Sequence, residues 1–202
     1  MNIATFYDTE TTGLPLFKEP SEHPGQPHIV QIGACLVDLD TRKTLATLDV
    51  ICRPEGWTIP DDVAEIHGIT TEHAADVGVP ESLAVEMLLE MVGKRLRIGH
   101  NEQFDARIVR IAMMRHFEAA QADEWKGGKS ACTQLLATPI LKLPPTPKML
   151  KVGFNRFKSA NLREAYQHFN GKELENAHSA LADVHACMAV WFAIRDLQEV
   201  AQ

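Results

Sequence analysis

The sequence predicts an α/β fold with a mixed sheet and helices on both faces, and two observations carry that prediction. Apolar runs rich in β-branched residues come first in the chain. Later, another such run alternates with segments whose apolar residues recur at helical spacing. This order is typical of an antiparallel meander that continues into strand–helix units. The 202 residues, 45% of them hydrophobic, are enough for one domain spanning 1–202.

The predicted strands are short apolar runs bounded by turn residues. Four prolines between residues 15 and 27 make the segment after the first strand a loop. The turn at 38–41 joins the next two strands as a hairpin. The predicted strands span 3–8, 29–38, 45–52 and 96–100.

The predicted helices are identified by apolar spacing and by capping residues. Short helical turns between 60 and 71 are broken by Gly68. Pro80 begins a longer helix, and Asn161 is the predicted N-cap of another. The apolar stripe of the Pro80 helix consists of Leu83, Met87, Leu88 and Met91. Further helices are predicted at 103–117, 162–169 and 179–200, whereas 118–160 is predicted to be less regular.

Composition excludes several classes of function. A net charge of −7 argues against a strong duplex binder that neutralises many phosphates. No apolar stretch approaches the ~20 residues of a membrane span, and the N-terminus lacks the layout of a signal peptide, so we expect no membrane partner. The four cysteines are widely spaced without a C-x-x-C pair, which predicts reduced core thiols and a cytoplasmic location.

One segment runs against the acidic balance of the chain. Residues 141–172 contain seven Lys and Arg residues and a single acid. Phe154 and Phe157, interleaved with Arg156 and Lys158, resemble a patch that stacks on single-stranded nucleic acid. A solvated loop whose aromatic residues anchor it to the core is the alternative.

Four acids and a histidine are the candidate chemical groups. Asp8 and Glu10 lie two residues apart at the end of the first predicted strand, so both point to the same side. Such a pair repels itself unless a cation lies between them, and carboxylates suit Mg²⁺ and Mn²⁺. Asp105 follows the fourth strand, at the kind of junction where α/β sheets gather functional groups. Asp183 lies near the apolar stripe of the last helix, with His178 in the loop before it.

These segments resemble the three motifs of the DEDDh family, the 3′–5′ exonucleases that include proofreading subunits, RNase T and oligoribonuclease. The first motif holds Asp8 and Glu10, the second holds Asp105, and the third, within 177–183, holds His178 and Asp183 in H-x-x-x-x-D spacing. The resemblance implies a ribonuclease-H-like fold. Its mixed five-stranded sheet would have three antiparallel strands first.

The resemblance also implies phosphodiester hydrolysis with two divalent cations, Mg²⁺ or Mn²⁺. Asp8 would bridge the two ions, and Glu10 and Asp183 would complete the site of the ion that activates water. Asp105 would support the second ion. His178 would take the proton from the attacking water, a role that suits an imidazole at neutral pH.

Three substrate contacts are implied by the same resemblance. Thr11 would hold the terminal nucleotide through its backbone or hydroxyl group. His67, within the family-like segment 66–70, and Phe104 would flank the terminal base or sugar. A capping or core role for His67 and core filling by Phe104 are the alternatives.

The expected function is a 3′–5′ exonuclease that releases nucleoside 5′-monophosphates from single-stranded 3′ ends. We expect DNA as the substrate ahead of RNA trimming. A catalytically idle module that binds 3′ ends is the rival hypothesis, and the intact acids and His178 argue against it. Since the chain ends soon after its last predicted helix, a stand-alone nuclease is expected rather than a polymerase subunit. A homodimer is a further expectation, because RNase T-like relatives are dimers.

Overall fold

A mixed sheet forms the centre of the computed structural model, which describes residues 1–174 and 178–200. The strand order is β4-β3-β2-β1-β5-β6. Strands β1, β2 and β3 pair antiparallel, whereas β4, β5 and β6 pair parallel to their neighbours. The strands are β1 (Ile3–Thr11), β2 (Ile29–Asp38), β3 (Lys43–Arg53), β4 (Val79–Pro80), β5 (Leu96–Gly99) and β6 (Ser130–Cys132).

Helices cover both faces of this sheet. They are α1 (Asp61–His67), α2 (Thr71–Val77), α3 (Glu81–Val92), α4 (Glu102–His116), α5 (Ala119–Gly127), α6 (Thr133–Leu141), α7 (Pro147–Lys151), α8 (Leu162–Asn170) and α9 (Ala180–Val200). Side chains alternate along β1, so Tyr7 packs with α3 and α4 while Phe6 packs with α9. None of the helices in the described part of the chain is both long and apolar enough to cross a bilayer.

The predicted α/β, ribonuclease-H-like fold class is confirmed, with a six-stranded sheet in place of five strands. The outer strands β4 and β6 have only two and three residues, too few to show a period-two pattern in the sequence. Strand β1 extends to Thr11, so Glu10, which the predicted range 3–8 left out, lies within the strand together with Asp8.

The segment 118–160 was predicted to be less regular than the rest of the chain, but much of it is in helices and a short strand. The segment contains α5, β6, α6 and α7. Pro147 begins α7, whereas Pro139 lies inside α6. Helix α5 begins with a capping box formed by Glu118 and Gln121, and Gly127 and Gly128 mark its end.

The predicted apolar stripe of α3 is also partly wrong. Leu83 and Met87 are 42% and 40% exposed, and the buried face carries Ala84, Val85 and Leu88. Small side chains at Ala84 and Val85 allow α3 to lie close to the sheet, and the larger neighbours then point outward.

Glu81 joins α3 to two other elements. Its buried carboxylate accepts hydrogen bonds from the backbone N–H of Ile29 at 2.8 Å and from Arg115 at 3.0 and 3.1 Å. The rings of His28 and His116 lie 3.0 and 2.8 Å from it. Burial alone would raise the pKa of Glu81, but these hydrogen bonds and the guanidinium hold it far below its usual range.

Candidate active site

The C-terminal part of β1 is not paired with β5, and Asp105 of the second motif contacts β1 there. Strand β5 pairs with β1 only as far as Phe6, so the residues after Phe6 extend past the end of β5. The backbone N–H and the hydroxyl of Thr9 donate to Oδ1 of Asp105 at 3.1 and 2.7 Å. Asp105 lies in the first turn of α4 and is buried. The first two motifs are therefore fixed to each other.

The third motif reaches β1 across a glycine in β2. Gly33 lies opposite Asp8 in the β1–β2 pairing. A Cβ atom at Gly33 would lie 2.5 Å from the backbone of Ala180 and Leu181, so only glycine admits the start of α9 here. Gln31, opposite Glu10, accepts a hydrogen bond from the N–H of Ala180 at 3.1 Å. Together these contacts hold the N-terminus of α9 against the acids of β1.

Glu10, His178 and Asp183 come together at this point. One potential ligand atom from each lies within 4.8 Å of those of the other two. His178 is exposed and has a left-handed backbone conformation, with φ of 72°. The backbone N–H of His178 donates to Oδ2 of Asp183 at 3.3 Å. Ala177, at the start of the third motif segment, lies outside the described residues.

Burial raises the pKa of all four carboxylates of the site, and the charges of the other site acids add to this effect at Asp8 and Glu10. Burial, together with the charges of Asp105, Asp183 and Glu10, raises the pKa of Asp8 well above its usual value. Burial, Asp183 and Asp105 raise the pKa of Glu10 to about 7. The pKa of Asp105 is also raised to about 7, by burial against the opposing hydrogen bonds from Thr9. Burial raises the pKa of Asp183 as well.

The repulsion between these buried carboxylates would be relieved by a divalent cation. Oδ1 of Asp183 is buried and has no hydrogen-bond partner among the described residues. An unsatisfied carboxylate oxygen surrounded by further carboxylates is costly, and a hard cation would satisfy it. The donors at the site are carboxylate oxygens and one imidazole, a set that can bind a divalent cation.

His67 lies beside the site in a defined protonation state. Its Nδ1 accepts the N–H of Ile69 at 3.1 Å, so the proton of the neutral ring is on Nε2. Nε2 lies near the carbonyl of Thr11 but makes no regular hydrogen bond within the described residues. Burial and the nearby His178 lower the pKa of His67, which keeps the ring neutral. The residue is therefore buried, as the core alternative proposed, and also keeps a free donor near the site.

The other two predicted substrate residues have local roles as well. The hydroxyl of Thr11 donates to the carbonyl of Gly13 at 2.8 Å and is therefore engaged within the chain. Phe104 packs partly against the core next to Asp105. It also lines a cleft of about 970 Å³ whose lining includes none of the four acids of the site.

Gln31 and Gly33 are positioning residues that the sequence analysis missed. A lone glycine inside a predicted strand indicates a close backbone approach, and Gly33 carried that signal. Nothing in the sequence indicated which element would approach it. Gln31 gave no signal, because its contact with Ala180 joins residues 149 positions apart.

The chain matches the RNase T exonuclease family over residues 5–191. It belongs to this family of exonucleases. The predicted resemblance to DEDD-type 3′–5′ exonucleases is thereby confirmed. No curated protein sequence gave a significant match.

Solved structures of exonuclease I share the fold of this family member. E. coli exonuclease I in complex with a dT13 oligonucleotide has a TM-score of 0.74 and 20% identity, covering 100% of this chain and 42% of its own. Exonuclease I from Methylocaldum szegediense has a TM-score of 0.72 and 22% identity, with coverages of 98% and 41%. A zinc-bound complex of the E. coli enzyme with single-stranded DNA has a TM-score of 0.71, 20% identity and coverages of 98% and 42%. The chain thus spans about two fifths of these enzymes.

Proposed function

We propose that this protein is a divalent-metal-dependent 3′–5′ exonuclease that releases nucleoside 5′-monophosphates from single-stranded DNA. One observation carries the proposal. Glu10, His178 and Asp183 converge within 4.8 Å, and the buried Oδ1 of Asp183 has no hydrogen-bond partner in the described part of the chain. Burial, Asp183 within the cluster and Asp105 of the second family motif all raise the pKa of Glu10.

Asp8, Glu10, Asp105 and Asp183 are the residues that would hold the cations. A divalent cation, Mg²⁺ or Mn²⁺, supplies Lewis-acid stabilisation of the phosphoryl oxygens and lowers the pKa of water. The carboxylates orient this chemistry at the end of β1. Two ions are proposed because the four acids carry four negative charges when ionised, and one dication neutralises two of them.

His178 is proposed as the general base. Its ring is exposed at the mouth of the site, and its ligand atom lies within 4.8 Å of those of Glu10 and Asp183. An imidazole there can take the proton of the attacking water and release it to solvent. The Nε2–H of His67, which makes no regular hydrogen bond among the described residues, can donate to a sugar or phosphate oxygen. Phe104 offers an aromatic face for the terminal base.

The choice of single-stranded DNA is supported by structural similarity. E. coli exonuclease I, which shares the fold, binds oligonucleotides such as dT13. The net charge of −7 disfavours extensive neutralisation of a duplex backbone. RNA trimming is the alternative substrate class.

The test is degradation of matched DNA and RNA oligonucleotides, single- and double-stranded, with Mg²⁺, Mn²⁺ or EDTA. We expect the fastest cleavage on single-stranded DNA, none in EDTA, and none in Asp183→Asn. Asp76→Asn, which neutralises an exposed acid on α2, is the matched control and should retain full activity. Metal-independent cleavage, or full activity of Asp183→Asn, would overturn the proposal.

A further inference from the structure

An ordered protrusion extends from the domain between α6 and α8. The backbone N–H of Lys158 donates to the carbonyl of Leu143 at 3.0 Å and closes the neck of residues 143–158. Inside, Thr146 caps α7 by accepting the N–H of Met149, and Phe154 donates to the carbonyl of Met149 at 2.9 Å. Loops of this size with adjacent ends are frequently functional.

The tip of this protrusion is apolar although it is in contact with solvent. All seven residues from 151 to 157 are exposed. Phe154 and Phe157 are 51% and 47% exposed, and Leu150 and Val152 are 52% and 65% exposed. These aromatic residues do not anchor the loop to the core. A contiguous set of large exposed apolar side chains is typical of a binding surface.

The same tip is positively charged. Lys148, Lys151 and Arg156 are exposed, and residues 143–158 include no acid. The guanidinium of Arg156 lies 5.0 Å from the ring centroid of Phe154. Lys158, by contrast, pairs with Glu164 below the tip. Against a chain of net charge −7, this is a local cationic surface with aromatic faces.

The base of the protrusion is attached to the active-site edge of the sheet. Just past the neck, the carbonyl of Ala160 lies 3.0 Å from Nε2 of His100, whose Nδ1 lies 2.9 Å from the hydroxyl of Thr133. Burial lowers the pKa of His100 to about 4, so this link is uncharged at neutral pH. His100 directly follows β5 and precedes the turn of α4 that carries Asp105.

We propose that the protrusion 143–158 is a second binding site for single-stranded nucleic acid, which holds the strand upstream of the 3′ end. Phe154 and Phe157 stack on bases, and Lys148, Lys151 and Arg156 contact phosphates. Interleaved cations and aromatic faces are the combination that binds a strand without regard to sequence. The inference rests on the proposed function in that the 3′ end of the same strand enters the active site.

The test compares two variants with matched controls. The stacking variant is Phe154→Ala/Phe157→Ala, and its control is Leu45→Ala/Leu197→Ala, which removes two apolar side chains that are 48% and 52% exposed elsewhere. The charge variant is Lys148→Gln/Lys151→Gln/Arg156→Gln. Its control, Lys43→Gln/Lys94→Gln/Lys129→Gln, removes three exposed charges elsewhere. All should keep the wild-type melting temperature.

Binding is measured in EDTA by fluorescence anisotropy with oligothymidylates of roughly 20 and roughly 4 nucleotides, lengths that bracket typical contacts of such folds. We expect the stacking variant to bind the long strand at least ~5-fold more weakly, and the short strand within about twofold of wild type. The charge variant should reduce the slope of log Kd against log salt by about 2, since each phosphate contact on a single strand contributes ~0.7. An upstream run of abasic nucleotides should abolish the stacking effect only.

Equal binding of the long strand by each variant and its control would overturn the inference. So would equal losses for long and short strands. Because the readout is binding in EDTA, it decides this question separately from catalysis. Wild-type cleavage of the same strands in Mg²⁺ tests the proposed function, and its failure would leave the binding comparison intact.

Discussion

Folding makes the ionised form of Glu10 less stable when no cation is bound. Its pKa rises from 4.5 to about 7, because of burial and then the charges of Asp183 and Asp105. At a pH above both values, ionisation of Glu10 costs the folded state about 3 kcal/mol, because one pKa unit corresponds to about 1.4 kcal/mol. This cost arises from the burial of Glu10 and from its acidic neighbours, and neutralising the Glu10 carboxylate would remove it.

The first prediction concerns pH and Glu10. The folded carboxyl binds a proton more tightly than the unfolded one, so in EDTA the free energy of unfolding should fall as pH rises between about 4.5 and 7. Glu10→Gln should make that limb shallower, with Asp105 still titrating over the same range, and should raise stability at pH 8. Urea denaturation across this pH range measures it, and saturating Mg²⁺ should restore wild-type stability at high pH. An unchanged limb in the variant would show that Glu10 is not strained.

The second prediction concerns His178. If its ring acts as general base, His178→Ala should lower kcat by ~10²–10⁴-fold. The rise in melting temperature with Mg²⁺ should persist, because the carboxylates that hold the cation remain. Single-turnover cleavage and thermal denaturation on one preparation give both values. Full cleavage rate in the variant would remove His178 from the chemistry, and loss of the Mg²⁺ effect would make it a ligand.

At the residue scale, the four acids and His178 could be proposed as site residues, because the order and spacing of the motifs are visible in the sequence. The hydrogen bonds between Thr9 and Asp105 were not predictable, because they depend on where β5 ends relative to β1. The free Nε2–H of His67 depends on a local turn at Ile69 that sequence does not specify.

At the element scale, the start of α9 is the part that assembles the site. The helix lies directly on the backbone of Gly33, and its first N–H is held by Gln31. A displacement of α9 would separate Asp183 from Glu10 while leaving every acid present. The packing of one helix end thus decides whether the motifs act together.

The third prediction uses this contact. Gly33→Ala would place a Cβ 2.5 Å from the backbone of Ala180, so α9 must shift. We expect activity to fall at least ~10-fold and the melting temperature to drop, since overpacking typically costs ~1–3 kcal/mol. Gly127→Ala, where a Cβ meets no atom within 4 Å, is the control and should change neither value. Wild-type kinetics in Gly33→Ala would contradict the role given to this contact.

The fourth prediction concerns Glu81, which joins α3 to β2 and α4. Glu81→Ala leaves Arg115 without its buried partner and should destabilise the fold by ~3–5 kcal/mol. Because the folded pKa of Glu81 is depressed, its contribution is present above the unfolded pKa of ~4.5 and is lost as pH falls further. Acid unfolding is measured for wild type and for Glu81→Gln, which has no carboxylate to protonate. We expect different acid midpoints, and equal midpoints would contradict this role of the Glu81 carboxylate.

Several elements could be predicted because their signals are local. Strand β2 matches its predicted range of 29–38, and α8 has the predicted Asn161 cap. Strand β6 could not be predicted, since its three residues gain stability only from pairing with β5. The exposed side of α3 was assigned wrongly because the alternative apolar face consists of smaller residues.

At the scale of the whole molecule, the sheet order brings three distant motifs to one end of β1. Strands β2 and β5 flank β1, so α9 reaches it across Gly33 and α4 reaches it past the end of β5. The family match over residues 5–191, which includes all three motifs, and the shared fold are consistent with a single site at this end of β1. The homodimer and the cytoplasmic location stay predictions.

The polarity of digestion tests the central claim most directly. Single-stranded DNA labelled at the 5′ end or at the 3′ end is digested in Mg²⁺ and sampled over time. If the acids at the end of β1 act on 3′ ends, the 3′ label should appear at once in a mononucleotide. The 5′ label should remain on a strand that shortens stepwise, and EDTA should stop both. Early release of the 5′ label, or fragments from internal cuts, would contradict the assignment of this site to 3′–5′ exonuclease chemistry.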